Sequence, residues 1–270
     1  MVSKMLTVKA KEIRQRTLEM VLKARTGHLG GSFSCTDILV ALYYGNIMHY
    51  DPANPGWDER DRFILSKGHA NNSLYVILAD VGFYQLAELD SYCRSGCFLG
   101  NHCDKTVPGV EVISGSLGHG LGIAAGMALA GKLDAKNHLV FTVIGDGESQ
   151  EGTIWEAAMF ASHHRLSNLV AFLDRNGLGS EDYTENTVGL EPVKDKWLAF
   201  GWDVHSVDGH SMDELLAVLA DCRCRTSGKP LMIVAKTVKG KGISFLENIP
   251  KSHHTLPIGD EIEIARRDLS

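Results

Sequence analysis

Two short polar segments carry the side chains best suited to holding a metal ion and a phosphate. Gly145-Asp146-Gly147-Glu148 follows the apolar run His138 to Ile144, and Asp174-Arg175-Asn176-Gly177 follows the run Asn168 to Leu173. A carboxylate, a side-chain amide oxygen and a nearby backbone carbonyl form an oxygen-only set. Such a set suits Mg²⁺ or Ca²⁺ and leaves coordination positions for water and phosphate oxygens. Glycines on both sides of Asp146 let backbone N–H groups approach a diphosphate, and a helix starting near Gln150 would aim its positive end there. Alone, Gly-Asp-Gly is a frequent turn. Its partner Asn176, thirty residues on, makes the signal specific, because a strand–helix–strand unit brings adjacent strand ends within ~5 Å laterally.

The elements that must position these residues follow from hydrophobic spacing. His138 to Ile144 and Asn168 to Leu173 are continuous apolar strands separated by a helix over Thr153 to His163, a βαβ crossover in a parallel sheet. Trp202 to Val207, a helix over Met212 to Cys222, and Leu231 to Ala235 repeat the pattern. Earlier, residues 7–25, Thr36 to Tyr44 and His69 to Asp80 read as helices, Arg62 to Leu65 as a short strand, and Gly27-His28-Leu29-Gly30-Gly31 as a turn. Leu117 to Lys132 is a helix rich in small residues. The fold class is therefore α/β, a doubly wound, mainly parallel sheet with helices on both faces, binding ligands beyond the strands' carboxyl ends. Residues 1–270 read as one domain, with 240–270 as a tail of little periodicity that wraps over the sheet or a partner.

Composition excludes several classes. The chain has 270 residues, is 44% hydrophobic and 22% charged, and carries a net charge of -6, with no basic run that would suit nucleic acid. No apolar stretch approaches the ~18 residues of a membrane span, and the charged first 25 residues do not read as a signal peptide. A cytoplasmic protein with reduced cysteines is expected. Cys93, Cys97, His102 and Cys103 lie close in sequence but lack the paired Cys-x-x-Cys of a zinc site.

Gly-Asp-Gly followed by Asn176 resembles the thiamine diphosphate motif, and the likeness runs from about Ile13 to His253. Thr26 to Gly31, Asp61 to Ala70, Gly115-Ser116-Leu117-Gly118, Gly145 to Gly152, Leu190-Glu191-Pro192, Phe200-Gly201-Trp202, Val207 to His210 and Lys236 to Gly242 occur in the order found in the N-terminal third of transketolases. That resemblance implies thiamine diphosphate and Mg²⁺ as cofactors, with Ca²⁺ or Mn²⁺ as substitutes. Asp146, Asn176 and the Leu178 carbonyl would bind the metal. Gly147, Asn176 and His69 would contact the diphosphate, and Gly115, Ser116 and Leu117 the aminopyrimidine. His28 and His102 would face the reacting carbon and its hydroxyls. His253, the best match in the tail, would touch cofactor and substrate, and Glu151 would lie at a subunit interface. Motif context favours a site role for His28, His69 and His102 but not for His49, His138, His163, His164, His205 or His210, which read as structural or surface residues.

Three departures from the family pattern stand out. His119 occupies the usual Gln position, Gly179-Ser180-Glu181-Asp182 replaces an Asp-Gly turn, and Ser252-His253-His254 replaces Trp-His-Gly, leaving open which of the two histidines serves the site. The resemblance also implies a missing domain, which supplies the glutamate that activates the pyrimidine, its stacking aromatic and most sugar-phosphate contacts. A separate C-terminal transketolase subunit, two copies of each chain and sugar phosphate substrates are therefore expected. The polar finish soon after the first domain reads as a natural division. The alternatives are a 1-deoxyxylulose-5-phosphate synthase-like reaction using pyruvate, and a regulatory partner that retains only the fold.

Overall fold

The computed structural model describes all residues, 1–270. Five strands, β1 (Arg62–Leu65), β2 (Val140–Gly145), β3 (Leu169–Arg175), β4 (Asp203–Asp208) and β5 (Leu231–Lys236), form one sheet in the order β1-β2-β3-β5-β4, with every pairing parallel. The helices are α1 (Val2–Ala24), α2 (Leu29–Tyr44), α3 (Asn71–Asp80), α4 (Gly120–Leu133), α5 (Gly152–His163), α6 (Thr184–Thr187), α7 (Val193–Ala199), α8 (Met212–Leu219) and α9 (Glu261–Asp268).

The central strands are apolar on both faces because both faces are covered. Phe141, Val143, Val170, Phe172 and Ile233 point into a core shared with α1, α2, α3 and α8. Their neighbours Val140, Ile144, Leu169, Ala171, Leu173 and Val234 point into a second core with α4, α5 and the Trp197–Trp202 pair. The period of two in each strand thus divides the side chains between two layers.

Helix α2 corrects the sequence reading. It begins at Leu29 rather than Thr36, so Gly30 and Gly31 form its first turn and His28 is its N-cap residue. Residues 29–43 of this helix are all buried, which erases the one-sided stripe that marks a surface helix. The glycines are needed for close approach. A Cβ at Gly30 would lie 3.0 Å from the Ser252 carbonyl, and one at Gly31 would lie 3.4 Å from His69 Nε2.

The tail also differs from its expected irregularity. Gly240 N–H donates to the Gly30 carbonyl (3.0 Å) and Asn248 N–H to the Lys239 carbonyl (3.0 Å). A 3₁₀ turn at Pro250–His253 follows, and then α9. Arg266 bridges Glu19 at 2.7 Å, Gln15 Nε2 donates to the Leu269 carbonyl, and Leu269 is buried. The tail therefore returns across α2 and fastens on α1.

Candidate active site

Strands β2 and β3 run in register, Gly145 opposite Asp174, so Asp146 and Asn176 leave the sheet side by side at its carboxyl edge. Asp146 is 2% exposed. Its Oδ1 accepts from Gly147 N–H (2.8 Å), and its Oδ2 accepts from Gly177 N–H (2.5 Å) and Arg175 Nη1 (3.2 Å). Burial, and then the neighbouring Asp174 carboxylate, nevertheless raise the Asp146 carboxyl above its ordinary value. A buried carboxylate left under-compensated in this way is what a divalent cation would relieve. Asn176 Oδ1 accepts from Leu178 N–H at 3.0 Å, while the Leu178 carbonyl accepts no hydrogen bond. Gly147 keeps a cradle open, since a Cβ there would lie 3.3 Å from Gly179 Cα. The donor set thus fits a hard cation beside a diphosphate.

That chemistry carries a pH dependence. Metal binding needs the ionised carboxylate, and the raised pKa makes Asp146 protonate earlier as the pH falls. A divalent cation held by this carboxylate is expected to lose affinity on acidification sooner than at an ordinary carboxylate site. Calorimetric Mg²⁺ titrations at several pH values check this, and a pH-independent affinity down through the normal carboxylate range contradicts it.

Beneath the donor set lies a buried ion pair. Lys67 Nζ, in the turn after β1, sits 2.5 Å from Asp174 Oδ2, with side chains 3% and 0% exposed. Ser34 (2.6 Å) and Thr237 also donate to Asp174, and Lys67 donates to the Gly31 carbonyl at 3.1 Å. Burial works against both charges, yet the pairing prevails, lowering Asp174 and raising Lys67. Glu148 is buried as well and accepts from Ser66 and from Gly118 and Gly145 N–H, which ties the loop after β1 and the segment before α4 to the end of β2.

Above the donor set stand five imidazoles. His28 lies 5.4 Å from His69, 5.7 Å from His102, 5.3 Å from His253 and 4.6 Å from His254, measured between ring centroids, and His69 lies 4.9 Å from His253. Burial, followed by neighbouring imidazoles, brings His28 down to about 4. Burial and then Lys239 bring His253 down to about 3. His69 is pushed well below its ordinary value by burial and then Lys67, and His102 is lowered by burial and then His254. These four rings are neutral at pH 7, so each offers one N–H donor and one acceptor.

A cavity of about 190 Å³ joins the two layers, and Asp146, Gly147, Asn176, Leu178, Leu117, His69 and His253 all line it. His28 and the exposed His102 lie outside this lining; His28 packs on the lining rings His69 and His253, and His102 packs on His28. Gly115 and Ser116 lie on an exposed loop outside the lining, and a Cβ at Gly115 would meet nothing within 4 Å. Of the two tail histidines, His253 faces the cavity, whereas His254 is exposed and packs on His28. His119 caps α4 and places Nδ1 3.0 Å from the Leu117 carbonyl, steadying the loop that delivers Leu117. Glu151 is exposed at the start of α5.

Sequence reasoning gave no role to three residues that the site uses. Arg175 binds Asp146 and reaches Thr184 (2.8 Å), Glu185 (2.9 Å) and Glu191 (3.0 Å), anchoring the loop after β3. Lys239 lines the cavity and donates to the Gly179 carbonyl, with burial and then Lys67 lowering it to about 8. Lys67 belongs to the ion pair. None of the three carries a local signal, because Lys and Arg are rarely buried unless paired and their partners lie elsewhere in the chain.

The family description "Transketolase, thiamine diphosphate binding domain" matches residues 6–270. The chain is 48% identical over 246 residues to the 6-deoxy-6-sulfo-D-fructose transketolase subunit of Clostridium sp. (strain MSTE9), covering 91% of this chain and 89% of that one. It is 41% identical over 265 residues to one of the subunits of the apulose-4-phosphate transketolase of Phocaeicola vulgatus, covering 98% and 94%. The crystal structure of transketolase from Campylobacter jejuni superposes with a TM-score of 0.91 at 34% identity, over 100% of this chain and 43% of that one. A family match along nearly the whole length, with this fold and these strand-end donors, leads to one conclusion: the chain belongs to the transketolase family, through its thiamine diphosphate binding domain.

Proposed function

We propose that this chain is the cofactor- and metal-binding subunit of a two-chain transketolase, which moves a two-carbon ketol unit from a ketose phosphate to an aldose. The observation that carries this reading is one cavity lined both by the oxygen set Asp146, Asn176 and Leu178 and by the neutral imidazoles of His69 and His253. The names of the two subunit relatives support ketol transfer over the pyruvate-using alternative. The intact donor set argues against a regulatory partner that retains only the fold.

Thiamine diphosphate, when bound, supplies the electron sink for cleaving a bond beside a carbonyl, which side chains cannot provide. The Asp146 carboxylate, the Asn176 amide oxygen and the Leu178 carbonyl hold Mg²⁺. Gly147 leaves room for the diphosphate, and Asn176 and His69 contact it. Leu117, with Gly115 and Ser116 on the loop before it, approaches the pyrimidine. His28, His102 and His253 orient sugar hydroxyls and move protons, work suited to imidazoles that are neutral at working pH.

The glutamate that activates the pyrimidine comes from a separate C-terminal subunit, with two copies of each chain and the cofactor at their interface. In this reading residues 1–270 form one diphosphate-binding domain and 240–270 its tail. Six free cysteines, and the absence of a helix long and apolar enough to cross a membrane, support a cytoplasmic enzyme.

The test is ketol transfer between ketose and aldose phosphates with thiamine diphosphate and Mg²⁺, measured with this chain alone and with its candidate second subunit. Transfer is expected only with both, and none in the mixture contradicts the reading. In the active mixture, His102→Ala is expected to leave cofactor affinity unchanged while lowering kcat by roughly 10²-fold. An unchanged kcat removes His102 from the catalytic set.

A further inference from the structure

Three of the five imidazoles form a second donor set, of a chemistry opposite to that at Asp146. His28, His253 and His254 each offer one ring nitrogen, and these nitrogens all lie within 4.8 Å of one another. His28 is 4% exposed, and its Nδ1 is buried without a hydrogen-bond partner. Leaving such an atom unpaired costs free energy that a bound ligand would recover. His28 comes from the N-cap of α2, whereas His253 and His254 close the 3₁₀ turn of the tail.

We propose that His28, His253 and His254 form a nitrogen-donor site for a borderline transition-metal ion such as Zn²⁺, with three protein ligands and a fourth position open to water. Three imidazoles and an open position are a recurring Zn²⁺ arrangement, with Zn–N bonds of about 2.0–2.1 Å. Small side-chain rotations bring three nitrogens from the observed spacing onto one ion, and His254 is exposed and able to make them. Mg²⁺ prefers oxygen donors and octahedral water-rich coordination, so the two sets sort hard from softer cations. The cationic Lys239 beside His253 opposes any cation here and makes the site weaker than a closed structural zinc centre. An ion so placed ties the tail to α2 and occupies His253, which lines the cavity, antagonising whatever binds there.

The test uses the full chain with no thiamine diphosphate and no second subunit, so its failure leaves the ketol-transfer reading untouched. Excess Mg²⁺ fills the oxygen set while Zn²⁺ is titrated by calorimetry, and Co²⁺ is followed by its visible absorption. One equivalent of Zn²⁺ and a tetrahedral-type Co²⁺ spectrum are expected. His254→Ala removes one ligand from an exposed position and is expected to weaken Zn²⁺ at least about tenfold, some 1.4 kcal/mol, and to change the Co²⁺ spectrum. The double variant His163→Ala/His164→Ala, at the C-terminal end of α5, is expected to change neither. Absence of stoichiometric binding, or Zn²⁺ affinity and Co²⁺ spectrum unaltered in His254→Ala, or their loss in the α5 double variant, overturns the proposal.

Discussion

Asp146→Asn is expected to weaken Mg²⁺-dependent binding of thiamine diphosphate by at least about 100-fold while leaving the fold intact. The carboxylate is the one charged member of the proposed donor set, and Asn176 and the Leu178 carbonyl contribute dipoles alone. Losing an opposite charge from a buried pair costs roughly 3–5 kcal/mol, and every 1.4 kcal/mol is about tenfold in affinity. Folding is spared for a specific reason: burial and Asp174 already disfavour the ionised form of Asp146, so a neutral amide of the same shape removes a charge that the apoprotein tolerates poorly. One Asn oxygen still accepts from Gly147 or Gly177, though not both carboxylate contacts survive. Calorimetry of cofactor binding to the mixture with the candidate second subunit, paired with thermal unfolding of this chain as apoprotein, separates the two effects. Retained affinity contradicts the metal assignment.

Asp174→Asn is expected to do the reverse, costing stability first. Asp174 and Lys67 are both buried and hydrogen-bonded to each other, and removing one partner strands the other charge in a low-dielectric interior. Breaking such a pair typically costs about 3–5 kcal/mol, and at about 2–4 °C per kcal/mol for a chain of this size Tm falls by roughly 10 °C. The linkage has a definite sign. The pairing lowers the Asp174 carboxyl, so its contribution is complete above the ordinary carboxylate range and is lost as the pH falls through the depressed value. Lys67→Met/Asp174→Leu removes both charges and is expected to recover most of the loss, because an apolar pair avoids the desolvation cost. Circular dichroism melts of the three proteins decide the matter, and a single variant as stable as the parent contradicts the account.

These two residues show what the sequence discloses. Asp146 and Asn176 were legible because each closes a continuous apolar strand, and the helix between them fixes the geometry; β2, α5 and β3 appear within two residues of where the pattern places them. Asp174 was visible as a neighbour of Asn176, but its partner Lys67 is 107 residues away, and a lysine gives no local sign of being buried. The sequence presents α2 as a turn followed by a helix, because its opening glycines look like loop residues until Ser252 and His69 are packed against them. Helix α9 escaped notice for a related reason. It is short and polar, and contacts with Glu19 and Gln15 at the far end of the chain hold it in place. The choice between His253 and His254 likewise needed the tail's path, since adjacent residues in a turn face different ways.

The proposed division of labour has this chain hold cofactor and metal in a site that only a second subunit completes. Its most direct test is calorimetry of thiamine diphosphate with Mg²⁺, titrated into this chain alone and into its mixture with the candidate second subunit. Weak or no binding to the chain alone and tight binding to the mixture is the predicted result. No heat in either titration would contradict it and leave a transketolase-family fold without that chemistry.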